Sequence, residues 1–567
     1  PTYPFQRKHF WIQTKAQTTQ PGISRTGWES ACETAALQAE CARFDLDVTA
    51  YPARWKALDR LADAYIRETL VDLGIFQTAG ETHTPHSLAE RYGIAAGYER
   101  LIGRWLRGLV AAGTLRQDGE RFTAVRPLPR PQMAQVRADA DIAMGQDRVF
   151  LEYILRCGQN LVKILTGRLS ALETIFPSGD FTLAEDLYER APVSVYFRDL
   201  CRAALEGFVR GRRAATYRVL ELGAGTGSTA SALLPILPPD ASEYFFTDVS
   251  DIFLNRARNK FVAYPAVRYG LLDVERDPAE QGYPNGAVDV VVATNVLHAT
   301  RDLRATIQRV KSLLAPGGLL ILCEATTYHG WFDVTTGLIE GWQVFEDGLR
   351  GDHPLLSGEV WRDALAAGGF EAVSVYPQAG SRAEALGQRV IVAKAPGESA
   401  ASRRLTIAGE SHSAIVMDTV AVTEPAVLTA LLEAPPLQRH DSLVTLMRQH
   451  LAEMLRYESP DQVERKRRLT DLGIDSLMAI EFSGRLTKAL HLEKPLPSTL
   501  VFDHPTLDAL ADYLEREVLR FTPAAETAES KTGEPAAPVA NDARMDEIDQ
   551  LSDEEVEALL LKKVKGR

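Results

Sequence analysis

Residues 215–395 predict a doubly wound α/β sheet, and three observations carry that prediction. Short apolar runs, YRVLEL, EYFFTDV, AVRYGLL, VDVVVATNV, GLLILCEAT, FEAVSVYP and QRVIVAKA, alternate with segments of helical period. The first run leads into a glycine turn, GAGTGS, and then into a helical stretch, STASALLPIL. Acids close the next two runs, Asp248 in YFFTDVS and Asp273 in YGLLDVE. A chain of 567 residues is too long for one core, so this sheet is one unit among several.

Taken in order, the chain opens on PTYPFQRKHFWI, which mixes Pro, aromatic and basic residues without helical or strand period. It reads as an extended segment that buries its aromatics against something else. The YPFQR string followed by an aromatic pair resembles the linker after the acyltransferase domain of modular polyketide synthases, which assigns residues 1–14. The start at Pro1, without Met or a signal-type apolar stretch, reads as a cut inside a longer polypeptide.

Between about 50 and 130 the period is helical and then strand-like. Trp55, Leu58, Leu61, Tyr65 and Ile66 fall at three- and four-residue spacing. HSLAERYGI and YERLIGRWLRGLVAAG read as two more amphipathic helices, and TLRQDGERFTAV as a hairpin with a DG turn. Helix, helix and hairpin suggest a winged-helix-like unit. Its second helix lacks the exposed basic and amide array that reads base edges, so a packing or substrate-covering lid over 45–210 is the better reading.

The glycine loop decides the ligand. A dinucleotide fingerprint wants glycine at its sixth position, where this chain has Ser228. Glu221 stands two residues before Gly223, and E-x-G-x-G-x-G resembles the first motif of class I methyltransferases. That resemblance implies S-adenosylmethionine and a Rossmann-like core over 211–396. Glu221 suits the cationic amino-acid end of that molecule, and Gly223, Gly225 and Gly227 clear space for it. Asp248 stands where a carboxylate accepts ribose hydroxyls, and Asp273 where class I enzymes hold the adenine amino group.

Methyl transfer to a hydroxyl, an enol or an acidic carbon needs a base. His298 follows the fourth run, and Glu324 ends the fifth. Carboxyl ends of adjacent strands in this fold face the ligand crevice, where a Glu makes a His a better base. NVLHATRDL resembles the polyketide synthase methyltransferases, which implies that His298 and Glu324 form a catalytic dyad. The aromatic-rich TTYHGWFDVTTGLIEGWQVFEDGLRGDHPLL that follows is expected to build the acceptor pocket, with Tyr328, His329, Trp342 and Gln343 as candidates. No His/Asp/Cys cluster has metal-ligand spacing, so metal-free chemistry is expected.

After a linker over 397–437, the helical stretch 438–520 holds LTDLGIDSLMAIEF, which resembles the phosphopantetheine attachment motif of acyl carrier proteins. Ser476 begins a helix there, and a helix start exposes a hydroxyl and favours a phosphate. This predicts a small helical-bundle carrier with 4'-phosphopantetheine on Ser476. Residues 521–543 read as a disordered Pro/Ala/Glu linker. In 544–567, Ser552 and Glu555 form a capping box ahead of one apolar stripe. That segment is similar to the docking helices that recruit the next synthase polypeptide.

Composition fits this picture. Hydrophobic residues make up 45% and charged residues 25%, and the net charge is −13 without a basic stripe, which argues against nucleic acid. Five scattered cysteines without a CxxC pair point to reduced thiols in a cytoplasmic protein. No apolar run has membrane-spanning length.

The resemblance implies these partners: a carrier-bound polyketide acyl chain, an upstream ketosynthase–acyltransferase of the same polypeptide, and a downstream synthase polypeptide reached through the tail. The methyl acceptor stays open between the β-oxygen and the α-carbon. The domain order, with no ketoreductase between methyltransferase and carrier, and the string GLIEGWQVFED lean toward oxygen. A carrier and docking module with a non-catalytic methyltransferase fold is the reading from another class.

Overall fold

The computed structural model describes residues 26–41, 46–397 apart from 213 and 340, and 436–520 apart from 456, 458, 493 and 498. The segments expected as acyltransferase linker (1–14), disordered linker (521–543) and docking helix (544–567) lie outside the described residues.

A helical lid comes first. Helix α1 (Gly27–Glu40) starts at a capping box in which Thr26 and Glu29 satisfy each other's backbone N–H groups. Helix α2 (Tyr51–Asp72) buries Trp55, Leu58, Leu61 and Tyr65, the residues whose spacing predicted it. Strand β1 (Thr82–His83), helices α3 (Pro85–Tyr92) and α4 (Glu99–Ala111), and strands β2 (Leu115–Asp118) and β3 (Arg121–Ala124) form the winged unit. Its antiparallel sheet runs β1-β3-β2, and the hairpin turns at Gly119 with φ 58°. Helices α5 (Met133–Met144), α6 (Val149–Gln159), α7 (Leu161–Leu165) and α8 (Thr182–Glu185) complete the lid.

Helix α9 (Pro192–Gly211) joins the lid to the sheet and packs closely on α1. A Cβ on Gly207 would stand 2.2 Å from Thr34 Oγ1 and 2.3 Å from the Ser30 carbonyl oxygen. Only glycine permits that approach.

All the apolar runs predicted as strands are strands of one sheet: β4 (Tyr217–Leu222), β5 (Ser242–Asp248), β6 (Val267–Leu271), β7 (Val288–Thr294), β8 (Leu314–Ala325), β9 (Ala372–Tyr376) and β10 (Gln388–Lys394). The order is β6-β5-β4-β7-β8-β10-β9; β4 through β8 are parallel, and β10 is antiparallel to both its neighbours. Strand order reverses at β4, so the crevice between the ends of β4, β5 and β7 is where this topology places ligands. Helices α10 (Ser228–Leu233), α11 (Asp251–Lys260), α12 (Leu303–Leu313) and α13 (Gly358–Ala367) cover the sheet. Strand β7 is buried on both faces, which is why VDVVVAT reads as a continuous apolar run.

The carrier follows: α14 (Pro436–Leu455), α15 (Ser476–Ala489), α16 (Leu500–Asp503) and α17 (Leu507–Tyr513) around Leu443, Met447, Phe482 and Leu510. Asp475 caps α15 by accepting the Met478 N–H at 2.7 Å, which leaves Ser476 as its first helical residue. Among the described residues no helix is long and apolar enough to cross a membrane.

Candidate active site

A cavity of about 370 Å³ opens at the carboxyl ends of β4, β5 and β7, roofed by the lid. The cofactor side follows directly from the turn after β4. Gly223 and Gly225 line the cavity with φ 56° and 53°, in the left-handed region that glycine tolerates. A Cβ on Gly223 would stand 2.6 Å from Val296 Cγ2, whereas one on Gly225 would meet nothing closer than 3.9 Å and would occupy ligand space. Gly227 does not line the cavity. It starts α10 at φ 78°, and a Cβ there would stand 2.8 Å from the Phe261 ring.

Two acids face the same space. Asp248 accepts N–H bonds from Gly225 (2.9 Å) and Ser250 (3.0 Å), so the glycine loop and the end of β5 are locked together. Burial raises its pKa to about 6 against those bonds. Glu221 is buried and accepts the Tyr244 hydroxyl at 2.7 Å, and burial raises its pKa to about 8. Asp273, by contrast, is not among the lining residues. Its carboxylate accepts the Glu275 N–H at 2.8 Å and shapes the turn after β6.

Sequence reasoning missed Arg198. It projects from α9 into the cavity wall, and its guanidinium donates to the Glu189 carbonyl (3.0 Å) and the Ser228 hydroxyl (3.4 Å). Its Nε is buried without a partner. A cation beside a glycine loop suits an anionic ligand group. No motif marked it, because it comes from the helix before the sheet.

The opposite wall begins at His298. Its one-turn helix (297–299) follows β7, and Nδ1 lies 2.5 Å from Glu324 Oε2. Glu324 is fully buried near the end of β8, and its Oε1 accepts the Leu297 N–H at 2.9 Å. The adjacent parallel strands thus bring together the two residues that the sequence paired. Glu324 does not touch the cavity; it stands behind His298, and with Nδ1 engaged, Nε2 is the ring nitrogen left for a ligand. Arg350 donates to the His298 carbonyl at 2.7 Å and fixes the loop.

Trp342 packs edge-on against His298 at 5.3 Å between centroids, and Phe332 lies 5.4 Å from Trp342. Of the residues proposed for the acceptor pocket, His329 and Trp342 line it. Tyr328 stacks instead on His353 at 4.4 Å, and Gln343 donates to the Gly337 carbonyl at 2.9 Å. The lid pins this wall. Arg104 makes a buried ion pair with Asp333 (2.6 Å), the Tyr98 hydroxyl donates to the Leu338 carbonyl (2.9 Å), and the Trp331 N–H donates to Asp59 (3.1 Å).

Among the described residues, one group of metal-type donors converges: His440, Asp512 and Glu515, in the carrier and not in this cavity.

Comparison with known proteins agrees with this architecture. Residues 220–320 match a family model described as a methyltransferase domain, and residues 446–514 one described as a phosphopantetheine attachment site. The chain is similar to the CurJ carbon methyltransferase, at 33% identity and a TM-score of 0.62, covering 66% of this chain and 100% of that one. The DszA carbon methyltransferase is similar at 29% identity and a TM-score of 0.57, with 65% and 97% covered. The polyketide synthase ThaG of Burkholderia thailandensis is 35% identical over 488 residues, 81% of this chain. PksR of Bacillus subtilis is 32% identical over 371 residues, 62% of this chain. The chain spans only 8% and 14% of those two relatives' lengths.

Fold and cavity define the class: an S-adenosylmethionine-dependent methyltransferase joined to a phosphopantetheine carrier. The chain belongs to the polyketide synthase family, as a methyltransferase domain with the carrier domain that follows it.

Proposed function

We propose that this chain methylates the α-carbon of an acyl group held as a thioester on 4'-phosphopantetheine at Ser476. His298 acts as the general base. The observation that carries the reading is the buried His298–Glu324 pair, with Nδ1 engaged at 2.5 Å and Nε2 left for the acceptor, beside a glycine loop lined with acids.

The chain's residues fit the cofactor. Gly225 leaves the space a Cβ would fill, and Asp248 offers a carboxylate for hydroxyls. Glu221 and Arg198 line the same cavity and would hold the cationic and carboxylate groups of its amino-acid end. When bound there, S-adenosylmethionine would supply an electrophilic methyl group with a neutral thioether as its leaving group. His298 Nε2 takes the acceptor's proton, and Glu324 holds the ring in the tautomer that can do so and stabilises the imidazolium that results. Trp342 and Phe332 set apolar rings beside His298, which would limit water at the reacting centre.

Carbon is favoured over oxygen by the likeness to two carbon methyltransferases that this chain covers almost completely. The sequence's lean to the β-oxygen rests on domain order and one string, and the same base serves either atom. The test uses a β-ketoacyl thioester with a ¹³C-labelled α-carbon on the loaded carrier and a ¹³C-methyl donor. Methylation at carbon gives one-bond carbon–carbon coupling in the product. A labelled methyl without that coupling assigns oxygen, and no labelled product sinks the methyl-transfer reading.

A further inference from the structure

We infer that the lid turn at 175–181 is the dock on which the carrier seats to present its loaded arm, and that Gly484 is the residue that lets it seat. This deepens the proposed function and rests on it. Helix α15 packs on residues 171–174 and 177–179 of the lid. The contact is backbone against backbone. A Cβ on Gly484 would stand 2.2 Å from the Ser178 carbonyl oxygen and 2.9 Å from its carbon. From the other side, a Cβ on Gly179 would stand 3.2 Å from Glu481 Cα. No flexible side-chain end lies between them, so any residue larger than glycine at 484 lifts the helix off the turn.

The turn is shaped for this approach. Ser178 and Gly179 are both left-handed, with φ 52° and 74°. Glu173 holds the strained Ser178 by accepting its N–H at 2.8 Å. Helix α15 is buried on more than one face: Leu477, Met478, Phe482 and Gly484 are all inaccessible, and the carrier's apolar residues are continuous with the lid's in one cluster. The charges agree: hydrogen bonds from Thr182 lower the pKa of Asp180 on the lid, and the Lys488 ammonium of α15 adds to that effect.

Position links dock to chemistry. Ile175 and Phe176, which begin the turn, line the cavity. At the start of α15, the Asp475 carboxylate is near enough to reinforce the burial that raises Asp248. Ser476 follows Asp475 directly, as the first residue of the helix that packs on this turn.

The test uses the full 567-residue chain with Gly484→Ala and Gly484→Arg. Alanine raises helix propensity, so a loss there is not unfolding of the carrier. Transfer to the acyl group on Ser476 is expected to fall about tenfold or more in Gly484→Arg, and less in Gly484→Ala. Transfer to the same acyl group as a free pantetheine thioester, and loading of Ser476 by a phosphopantetheinyl transferase, should stay within about twofold. Amide exchange over 171–181 should speed up in both variants. Unchanged carrier-bound transfer or unchanged exchange overturns the dock. If the wild-type chain methylates neither substrate, the methyl-transfer reading fails, and the exchange result still decides the dock.

Discussion

The two walls of the cavity are built in different ways. The cofactor wall is made of strand ends and one glycine turn: Asp248 accepts the Gly225 N–H and Glu221 the Tyr244 hydroxyl, all within about thirty residues of chain. The acceptor wall is assembled from His298, Trp342 and Phe332, held by lid residues more than two hundred positions away, such as Arg104 and Tyr98. The first wall is set by the sheet. The second depends on how the lid sits.

That contrast can be broken at several points. The largest effect on ligand binding is expected on the cofactor wall. Gly225→Val forces a β-branched residue to φ near 53° and fills ligand space. It should weaken S-adenosylhomocysteine binding by roughly 10- to 100-fold in calorimetry. Arg198→Ala should weaken the same ligand about tenfold, the scale of one charge-assisted hydrogen bond. Binding of methylthioadenosine, which has no carboxylate, should not change; an equal loss for both would assign Arg198 to packing.

A smaller effect follows from acidity. Glu221 and Asp248 have pKa values raised to about 8 and about 6. Without ligand their stabilising contribution is full below the unfolded values, and is lost as pH rises through the folded ones. A ligand that prefers the carboxylates ionised shows the opposite trend, so affinity should rise a few-fold between pH 5 and 8. Glu221→Gln should remove the upper part of that rise. The smallest effect is expected for Asp273→Asn, within about twofold, because its carboxylate serves the turn after β6 and is not in the cavity lining.

How legible each wall was in the sequence follows the same division. Strands β4 to β10 were readable because their apolar runs are regularly interrupted, and β4, β7 and β10 among them are buried along most of their length. Glu221, Gly225, Asp248 and His298 were readable because strand ends point into the crevice. Asp273 sits at the same kind of strand end, yet the turn beyond it folds its carboxylate back onto Glu275. Arg198 was invisible because a single arginine on an amphipathic helix looks like solvated surface. Tyr328 and Gln343 lie in an aromatic run whose members divide between cavity and core, and no period in it says which. Helix α1 fell in a stretch assigned no structure, because its buried face is alanine rather than large apolar residues.

On the proposed reading the walls divide the work, the glycine-loop wall binding and the His298 wall taking the proton. His298→Ala tests it directly when two quantities are measured on the same preparation: single-turnover methyl transfer to the carrier-bound acyl group, and affinity for S-adenosylhomocysteine. Transfer should fall by roughly 10²- to 10⁴-fold, the range of a lost general base, with affinity within about threefold of wild type. Transfer that survives, or affinity that collapses together with it, would show that the two walls do not divide the work.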